Sequence, residues 1–343
     1  MEFTISGRLE VRITPADVGK RVSVRQVLEG GREGAGFTDT VGVLTSWTGG
    51  VLSVTTKSGQ SVHIPEPALV AGKTVPAAPA RRRGPAASFE ELTRVTARAW
   101  QPVEEEALGG WRLRAAAGFT RRANSVLPLG DPGLPLEAAL ERVGRWYAQR
   151  GLPAYVQAGT GAEGAQEGLC AGLEEHGWRR EVSAEVRIAA LAPLGDLEAD
   201  ASRVRLARAA DDAWLSRYQR FSTLGRAPGA PVLKVLGSGP SVWFASVPGD
   251  GPDAVPAAIG RAVVDGRWAG FMAVEVGPEH RRRGLGTAVM TALARRALDE
   301  GASAAWLQVE TDNGAARALY DGMGFATHHL YHHFRAAEGV FRK

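Results

Sequence analysis

The sequence predicts two architectures in series. A small all-β domain over residues 1–72 is followed by mixed α/β (α+β) structure, a β-sheet flanked by helices, reaching residue 337. Three observations carry this reading. Residues 3–70 hold short β-rich runs broken by turn residues, with no helical periodicity. KTVPAAPARRRGPAAS (73–88) is rich in Pro and Ala and reads as a linker. Beyond residue 88 strands and 3.6-periodic helices alternate, and their order runs twice.

In the first segment GKRVSVRQVL, DTVGVLTSW, GVLSVTTKSG and QSVHIPEPALV are the strands, and Gly49-Gly50 and Ser58-Gly59 mark hairpin turns. So few strands close most simply as a small barrel. Arg81–Arg83 in the linker have no interleaved aromatics and read as a solvated charge run.

The second α/β pass is the clearer one. AIGRAVVDG and RWAGFMAVEV (258–276) form a hairpin about Asp265-Gly266. A helix follows from about Gly286 to Glu300, with Met290, Leu293, Ala294, Ala297 and Leu298 on one face and Gly301 as its stop. Then come a strand, AAWLQVE (304–310), a helix starting near Asp312 or Asn313, both good N-caps, the pair Gly324-Phe325, and a last strand, THHLYHHFRA. Residues 110–190 repeat the order. GWRLRAAAG and FTRRANSVLP pair, LPLEAALERVGRWYAQRG is a helix stopped by Gly151, LPAYVQAG is a strand, GAQEGLCAGLEEHGW is a helix, and RREVSAEVRIAAL is a strand. The interval from helix-stop glycine to glycine-aromatic pair is 26 residues in one pass (Gly151 to Gly177) and 23 in the other (Gly301 to Gly324). This predicts an internal duplication hinged at LAPLGDLEADAS (191–202), with units at 89–192 and 203–337.

A net charge of +4 with 23% charged residues lacks the concentrated basic face of a nucleic-acid binder, so a nucleic-acid partner is not expected. The single cysteine, Cys170, allows no intramolecular disulfide and lies in an apolar helical pattern, which predicts a core thiol rather than a nucleophile. No apolar window reaches the roughly 18 residues of a membrane span, and MEFTISGRLE has no basic-then-apolar pattern of a signal peptide. A cytoplasmic protein without membrane contact is expected.

The chemistry concentrates in VGPEHRRRGLG (276–286). A turn that cradles phosphate needs glycines, so that backbone N–H groups can approach the anion, and a helix start, where unpaired N–H groups converge. Arg281–Arg283 precede Gly284 and Gly286, and the helix begins there. The spacing is not that of a Walker loop, since no Gly-Lys-Ser/Thr follows, nor the Rossmann fingerprint. Downstream, Asn313, Ala316 and Tyr320 are spaced i, i+3, i+7 and share a helix face, with small Ala316 leaving room for a thin ligand arm.

Together VGPEHRRRGLG and DNGAARALYDGMGF resemble the two signature motifs of the GNAT superfamily of N-acetyltransferases. The family's Arg/Gln-x-x-Gly-x-Gly/Ala loop is matched by Arg281, Gly284 and Gly286, and its second motif by Asn313, Ala316, Tyr320, Gly324 and Phe325. The likeness spans about 203–337, where VRLARAADDAWLSRYQRF resembles the family's first strand and helix. It implies a GNAT fold in tandem arrangement, of the actinobacterial-type group in which an SH3-like barrel and a degenerate GNAT-like region precede the catalytic domain. It also implies acetyl-CoA as cosubstrate, with contacts from Val274, Val276, Arg281, Arg282, Arg283, Gly284, Leu285, Gly286, Thr287, Asn313, Ala316 and Tyr320. By the resemblance, Tyr320 protonates the departing thiolate and the Val276 N–H faces the acetyl carbonyl. An alkyl ammonium must first lose a proton. Glu275 and Glu310, each near a strand end, are the candidate bases, and a water chain is the third possibility.

With Pro128 set on Pro278, Asp131 stands where Arg281 stands, no basic residue follows through Leu136, and Leu173 stands where Tyr320 does. The first copy has therefore lost both halves of the site. The histidines of THHLYHHF do not predict a metal. On a straight strand His328 and His332 share one face, His329 and His333 the other, and members of each pair are about 13 Å apart. One of them is a candidate for the acceptor site. Trp214, Trp243 and Trp268 are candidate pocket walls that strand and helix positions favour as core. The function expected is acetyl transfer to a primary amine of a small molecule or protein. The rival reading is a CoA-sensing interaction protein whose N-terminal barrel binds a partner without turnover.

Overall fold

The computed structural model describes residues 10–28, 36–76, 84–218, 229–251 and 254–337, so Arg81–Arg83 and part of the linker lie outside the described residues. The N-terminal strands are β1 (Arg21–Val27), β2 (Phe37–Thr48), β3 (Val51–Thr56), β4 (Ser61–Pro65) and β5 (Leu69–Thr74), all antiparallel in the order β4-β3-β2-β1-β5. Gly49 and Gly50 turn β2 into β3 with φ of +59° and +74°, the double positive φ that a tight hairpin requires. Ile13, Val22, Val24, Leu44, Leu52, Val54 and Ile64 fill the domain's own core.

Helix Phe89–Arg98 follows, capped by Ser88, whose Oγ accepts from Glu91 N at 3.0 Å. The first α/β pass gives β6 (Glu104–Leu108), β7 (Trp111–Ala115) and β8 (Leu127–Pro128) as one small sheet, then β9 (Tyr155–Thr160) and β10 (Arg179–Ala190). The second gives β11 (Arg205–Ala207), β12 (Ser241–Val247), β13 (Ala258–Asp265), β14 (Trp268–Val276), β15 (Ala304–Glu310) and β16 (Ala326–Arg335). The main hairpin of the first pass joins β6 to β7, with β8 a short third strand, which differs from the expected pairing of 110–118 with 119–128 alone.

One eight-stranded sheet draws on both passes, in the order β11-β12-β13-β14-β15-β10-β16-β9. Strand β10 lies between β15 and β16 and is antiparallel to both, with Ala184 opposite Glu310 on one side and Tyr331 on the other. The segment 191–202 is thus a chain crossing within one sheet. Periodicity shows that a segment is a strand but not which strand it pairs with, so this exchange is invisible in the sequence.

Helices Phe89–Arg98, Asp212–Arg217 and Ala230–Leu236 cover one face through Leu92, Val95, Trp214, Leu215 and Val235. Helices Leu285–Asp299 and Gly314–Gly322 cover the other, with Val289, Met290, Leu293 and Ala297 in its core. A third cluster packs helices Leu136–Ala148 and Glu167–Glu175 on β7–β9. Cys170 is fully buried there, and burial pushes its thiol up, which suits a core residue. Trp214 and Trp268 are 2% exposed and belong to the core, while the indole of Trp243 donates to Glu300 Oε1 at 2.6 Å.

Strands β14 and β15 run parallel and pair only over Trp268–Phe271 and Ala304–Leu307. At the heart of this short pairing the indole of Trp306 occupies the space a Cβ on Gly270 would need. Because that indole is buried among core residues, Gly270→Ala forces it to shift, and destabilisation of about 1–3 kcal/mol is expected. Urea unfolding of the variant checks this.

Candidate active site

Beyond Phe271 and Leu307 the two strands stop pairing and part. On its other side β14 remains paired with β13, but the register shifts between Ile259 and Arg261, and Ala273 takes a left-handed φ of +52°. A non-glycine bulge of this kind re-aims the strand end and opens a wedge in the sheet. Alternation sends Val274 and Val276 toward helix Leu285–Asp299, and Glu275 to the opposite face. Val309 faces the same core as Val274, so Glu310 shares the face of Glu275.

The arginine-glycine segment closes the wedge from one end. Arg282 (φ +60°) and Gly284 (φ +74°) are both left-handed, and Gly284 is the N-cap of helix Leu285–Asp299. The first bond into the helix runs from Ala288 N–H to Gly284 C=O at 2.9 Å, which leaves the amides of Leu285, Gly286 and Thr287 without an intrahelical acceptor. Arg281, Arg282 and Arg283 are exposed and form no ion pair among the described residues. Unpaired amides, a positive helix end and three uncompensated guanidiniums make this a site built for an anion. Gly286 is buried, and a Cβ there would find only ordinary contacts with Leu319 Cδ2 (3.6 Å) and Val276 Cγ2 (3.7 Å). A methyl group could be added there without displacing a neighbour.

Helix Gly314–Gly322 forms the other wall. Asn313, expected among the ligand contacts, is its N-cap, with Oδ1 accepting from Ala316 N at 3.1 Å. That bond uses one lone pair of its carbonyl oxygen and leaves the amide NH2 and a second lone pair. Tyr320 is half-buried, edge-on to Phe325 at 5.9 Å, and burial pushes its phenol up to about 12 against the opposing charge of Arg187. It is a proton donor at neutral pH.

Arg187 belongs to a charge network that sequence reasoning missed. Strand β10 sends Arg187 (4% exposed) and Glu185 (7%) under this helix. Arg187 Nε donates to Glu185 Oε2 at 2.5 Å, and its Nη1 to Asp321 Oδ1 at 2.9 Å and the Arg317 carbonyl at 3.2 Å. Arg317 Nη2 pairs with Glu185 Oε1 at 2.9 Å, and the Thr327 hydroxyl donates to Glu185 Oε2 at 3.1 Å. Burial raises the Glu185 carboxyl, but Arg187, Thr327 and Arg317 outweigh it and hold the group below its ordinary value. A strand from the first pass therefore fixes the helix that carries Tyr320. The sequence signal was Glu185 and Arg187 standing among the apolar residues of the second half of β10.

A parallel junction also exists in the first pass, where Val126 of the segment entering β8 bridges to Val156 of β9. There the parting strands are joined by a side chain. Gln166 Nε2 donates to the Pro128 carbonyl at 2.7 Å, and its Oε1 accepts from Gly159 N at 3.0 Å. In the loop that follows, Asp131 Oδ1 accepts from Gly133 N at 2.6 Å.

The histidines differ from the straight-strand expectation. Thr327 and His329 of β16 face consecutive residues of β10, Arg187 and Val186, so His328 bulges out of register. It comes to lie beside His329, Nδ1 to Nδ1 at 2.9 Å, with its Nε2 on the Ala87 carbonyl at 3.1 Å. Among the described residues no group of three or more His, Cys, Asp or Glu is placed to hold a metal ion, and no helix is long and apolar enough to cross a membrane.

The parted parallel strands, the bulge and the glycine-rich helix start define a GNAT-type acyltransferase. The family described as "Probable histone acetyltransferase Rv0428c C-terminal" matches residues 86–334, and the "Rv0428c N-terminal Sm-like domain" matches 16–73. The chain belongs to this Rv0428c-like family of GNAT acetyltransferases. Its all-β domain is matched as Sm-like, in place of the SH3-like barrel expected. The probable histone acetyltransferase Rv0428c of Mycobacterium tuberculosis is 30% identical over 91% of this chain and 93% of its own length. The uncharacterised N-acetyltransferase YobR of Bacillus subtilis is 26% identical over 72% of this chain and 98% of its own. A GCN5-related N-acetyltransferase from Kribbella flavida shares the fold at a TM-score of 0.52 and 17% identity, covering 74% of this chain and 98% of that one.

Removing Arg187 leaves Glu185 buried with a weakened set of partners, so Arg187→Met is expected to destabilise by about 3–5 kcal/mol, and Glu185→Leu/Arg187→Met to recover most of it. Because the native Glu185 carboxyl lies below its unfolded value, its contribution is present above about pH 4.3 and lost as pH falls through the folded value. Arg187→Met should shrink that acid-dependent step. Chemical denaturation at pH 7 and at pH 3–4 checks both.

Proposed function

We propose that this acetyltransferase binds one acetyl-CoA per chain in the β14/β15 wedge and passes its acetyl group directly to a primary amine in a ternary complex. The observation that carries the reading is the end of β14–β15 pairing at Phe271 and Leu307, directly before a left-handed bulge and an arginine-glycine helix start. The amides of Leu285, Gly286 and Thr287, with Arg281, Arg282 and Arg283, would hold the pyrophosphate. Val274, Val276 and Ala316 would flank the pantetheine arm, and the Asn313 amide NH2 would reach it. The amine lone pair forms the new C–N bond at the acetyl carbon while the Val276 N–H stabilises charge developing on the carbonyl oxygen. The C–S bond breaks, its electron pair leaves on sulfur, and Tyr320 protonates that sulfur.

The amine's proton goes to Glu275 or Glu310, directly or through water. Both lie on the face opposite helix Leu285–Asp299, where an acceptor can approach without crossing the cofactor. We read the first pass as a degenerate copy of the fold. Its parallel junction, the helix between its two strands and the Gln166 bridge support this: the side chain takes the backbone positions that a pantetheine arm would need. Asp131 in the equivalent loop would repel pyrophosphate. The name of the Mycobacterium relative points to a protein amine, and a small-molecule amine is equally compatible with the site. The Sm-like domain is a surface for a protein partner in this reading. The non-catalytic CoA sensor is disfavoured by Tyr320, which the resemblance makes the proton donor and whose phenol burial keeps protonated.

Calorimetric titration with acetyl-CoA should show one site per chain, abolished in Gly286→Glu, with the unfolding midpoint measured alongside. Two sites would overturn the degenerate status of the first pass, and no binding at millimolar acetyl-CoA would overturn the transferase. Tyr320→Phe is expected to keep acetyl-CoA affinity and lose about 10²–10⁴-fold in kcat. In the native enzyme the rate should rise with pH as the amine deprotonates, with no fall assignable to Tyr320 below its value of about 12. Steady-state rates from pH 6 to 10 for both proteins check this, and the same series on Glu275→Gln and Glu310→Gln identifies the base.

A further inference from the structure

The face of the wedge opposite the acetyl-CoA clamp carries a second built feature, contributed by the first pass. Residues 116–125 form a tight loop in which Ala117 (φ +50°) and Thr120 (φ +56°) are both left-handed non-glycines. Each such residue costs of order 1–3 kcal/mol. Asn124, buried, holds the loop in place with every hydrogen-bonding position of its amide. Oδ1 accepts from Ala116 N (2.8 Å) and Gly118 N (3.0 Å), and Nδ2 donates to the carbonyls of Phe119 (2.7 Å) and Thr120 (2.9 Å). What the strained loop presents is the turn Arg121–Ala123.

Arg122 lies between two rings, its guanidinium 5.8 Å from the centroid of Tyr331 and 5.9 Å from that of Trp100. Its Nε donates to the Tyr331 hydroxyl at 2.8 Å, and no carboxylate pairs with it among the described residues. Arg121 beside it approaches Glu181 at 3.5 Å, yet its buried Nε has no partner. Next to Tyr331 is His333, 3% exposed, its ring 5.5 Å from the tyrosine ring and both nitrogens unpartnered. Burial first, then the charges of Arg122, Arg114 and Arg121, hold His333 well below its ordinary value, so it is neutral and offers one donor. The buried nitrogens of Arg121, His333 and Trp100 that lack partners stand together around Arg122, which has no carboxylate of its own, while Glu181 and Glu310 act on Arg121.

The feature is tied to the reaction centre through the sheet. Ala184 faces Tyr331 on one side and Glu310 on the other, so Tyr331 shares a row with the residue that ends β15 at the wedge. The second neighbour of Trp100 is Arg261, 5.0 Å from the ring centroid, whose guanidinium also contacts Met272 Sδ, the residue before the bulge.

We propose that Arg122, assisted by Arg121 and His333, receives a carboxylate of the acceptor, so that the acceptor is a small amino acid whose amine reaches the wedge. A planar, weakly hydrated guanidinium with free N–H groups and aromatic walls matches a carboxylate through two parallel hydrogen bonds. A polyamine or a lysine-rich peptide would bring further positive charge against the three arginines. The inference rests on the transferase reading, since it names the substrate class of that same site.

The test is equilibrium binding, which needs no turnover. CoA-saturated protein is titrated calorimetrically with N-acetylated amino acids, from N-acetylglycine to N-acetyl-6-aminohexanoate, each against its carboxamide. At least one acid is expected to bind about 10–100-fold tighter than its amide, as a charged hydrogen-bond pair implies. Arg122→Met should bring that ratio to near one, with Arg122→Lys in between, while acetyl-CoA affinity and the thermal unfolding midpoint stay unchanged. A ratio near one for every pair in the native protein, a ratio unmoved by Arg122→Met, or acetylation of a lysine-rich peptide that Arg122→Met leaves intact would each overturn the proposal. Failure of acetyl-CoA itself to bind would instead overturn the transferase reading, and the acid-to-amide ratio measured without CoA still decides the fate of the arginine site.

Discussion

Where β14 and β15 stop exchanging hydrogen bonds after Phe271 and Leu307, the middle of a sheet is left open, and much of the molecule is arranged around holding it open. Unpaired strand edges inside a protein are costly, because each backbone group sheds water without gaining a partner. The opening persists because its two sides are braced separately. β13 grips β14 through a register shift and the left-handed Ala273, while β10 grips β15 along its whole length to Glu310. Trp306 packed against Gly270 fixes the point of divergence. The arginine-glycine helix start then sits at one end of the opening, because helix Leu285–Asp299 must begin where β14 ends.

The bracing strand on the β15 side comes from the first α/β pass. β10 completes the sheet, carries Glu185 and Arg187 under the helix of Tyr320, and lies beneath the loop that presents Arg121 and Arg122. A buried ion network of this kind adds little net stability over apolar packing, but it specifies one geometry, since any displacement leaves a charge unanswered. Its value here lies in fixing the position of a helix. Gln166 shows the complementary economy: the parting strands of the first pass are satisfied by one internal amide.

How far the sequence could be read depended on how local each feature is. The arginine-glycine turn was legible because a left-handed Gly284, a helix start and three like charges are all set within a few residues. The hairpin turn at Gly49-Gly50 and the helix stops were legible for the same reason. Asn313 was half legible. Its residue type suits both a ligand contact and an N-cap, and only the coordinates show its oxygen engaged by Ala316 N. His328 was misassigned because strict alternation assumes a straight strand, and a bulge at that residue breaks it, while His329 and His333 share a face as expected.

The amino-acid sequence by itself determined where most strands and helices lie, that a helix starts at a glycine behind three arginines, that Cys170 belongs to a core, and that Tyr320 shares a helix with Ala316. These follow from backbone preferences and periodicities that act over a few residues. Only the tertiary structure decided that β10 crosses between β15 and β16, that Arg187 reaches the helix of Tyr320, and that Arg122 lies by Tyr331 and Trp100. Those facts depend on which strand edge meets which and on charges brought together from residues far apart in the chain. Strand pairing is set by the shape of the whole sheet, on which the local pattern of any one strand is silent.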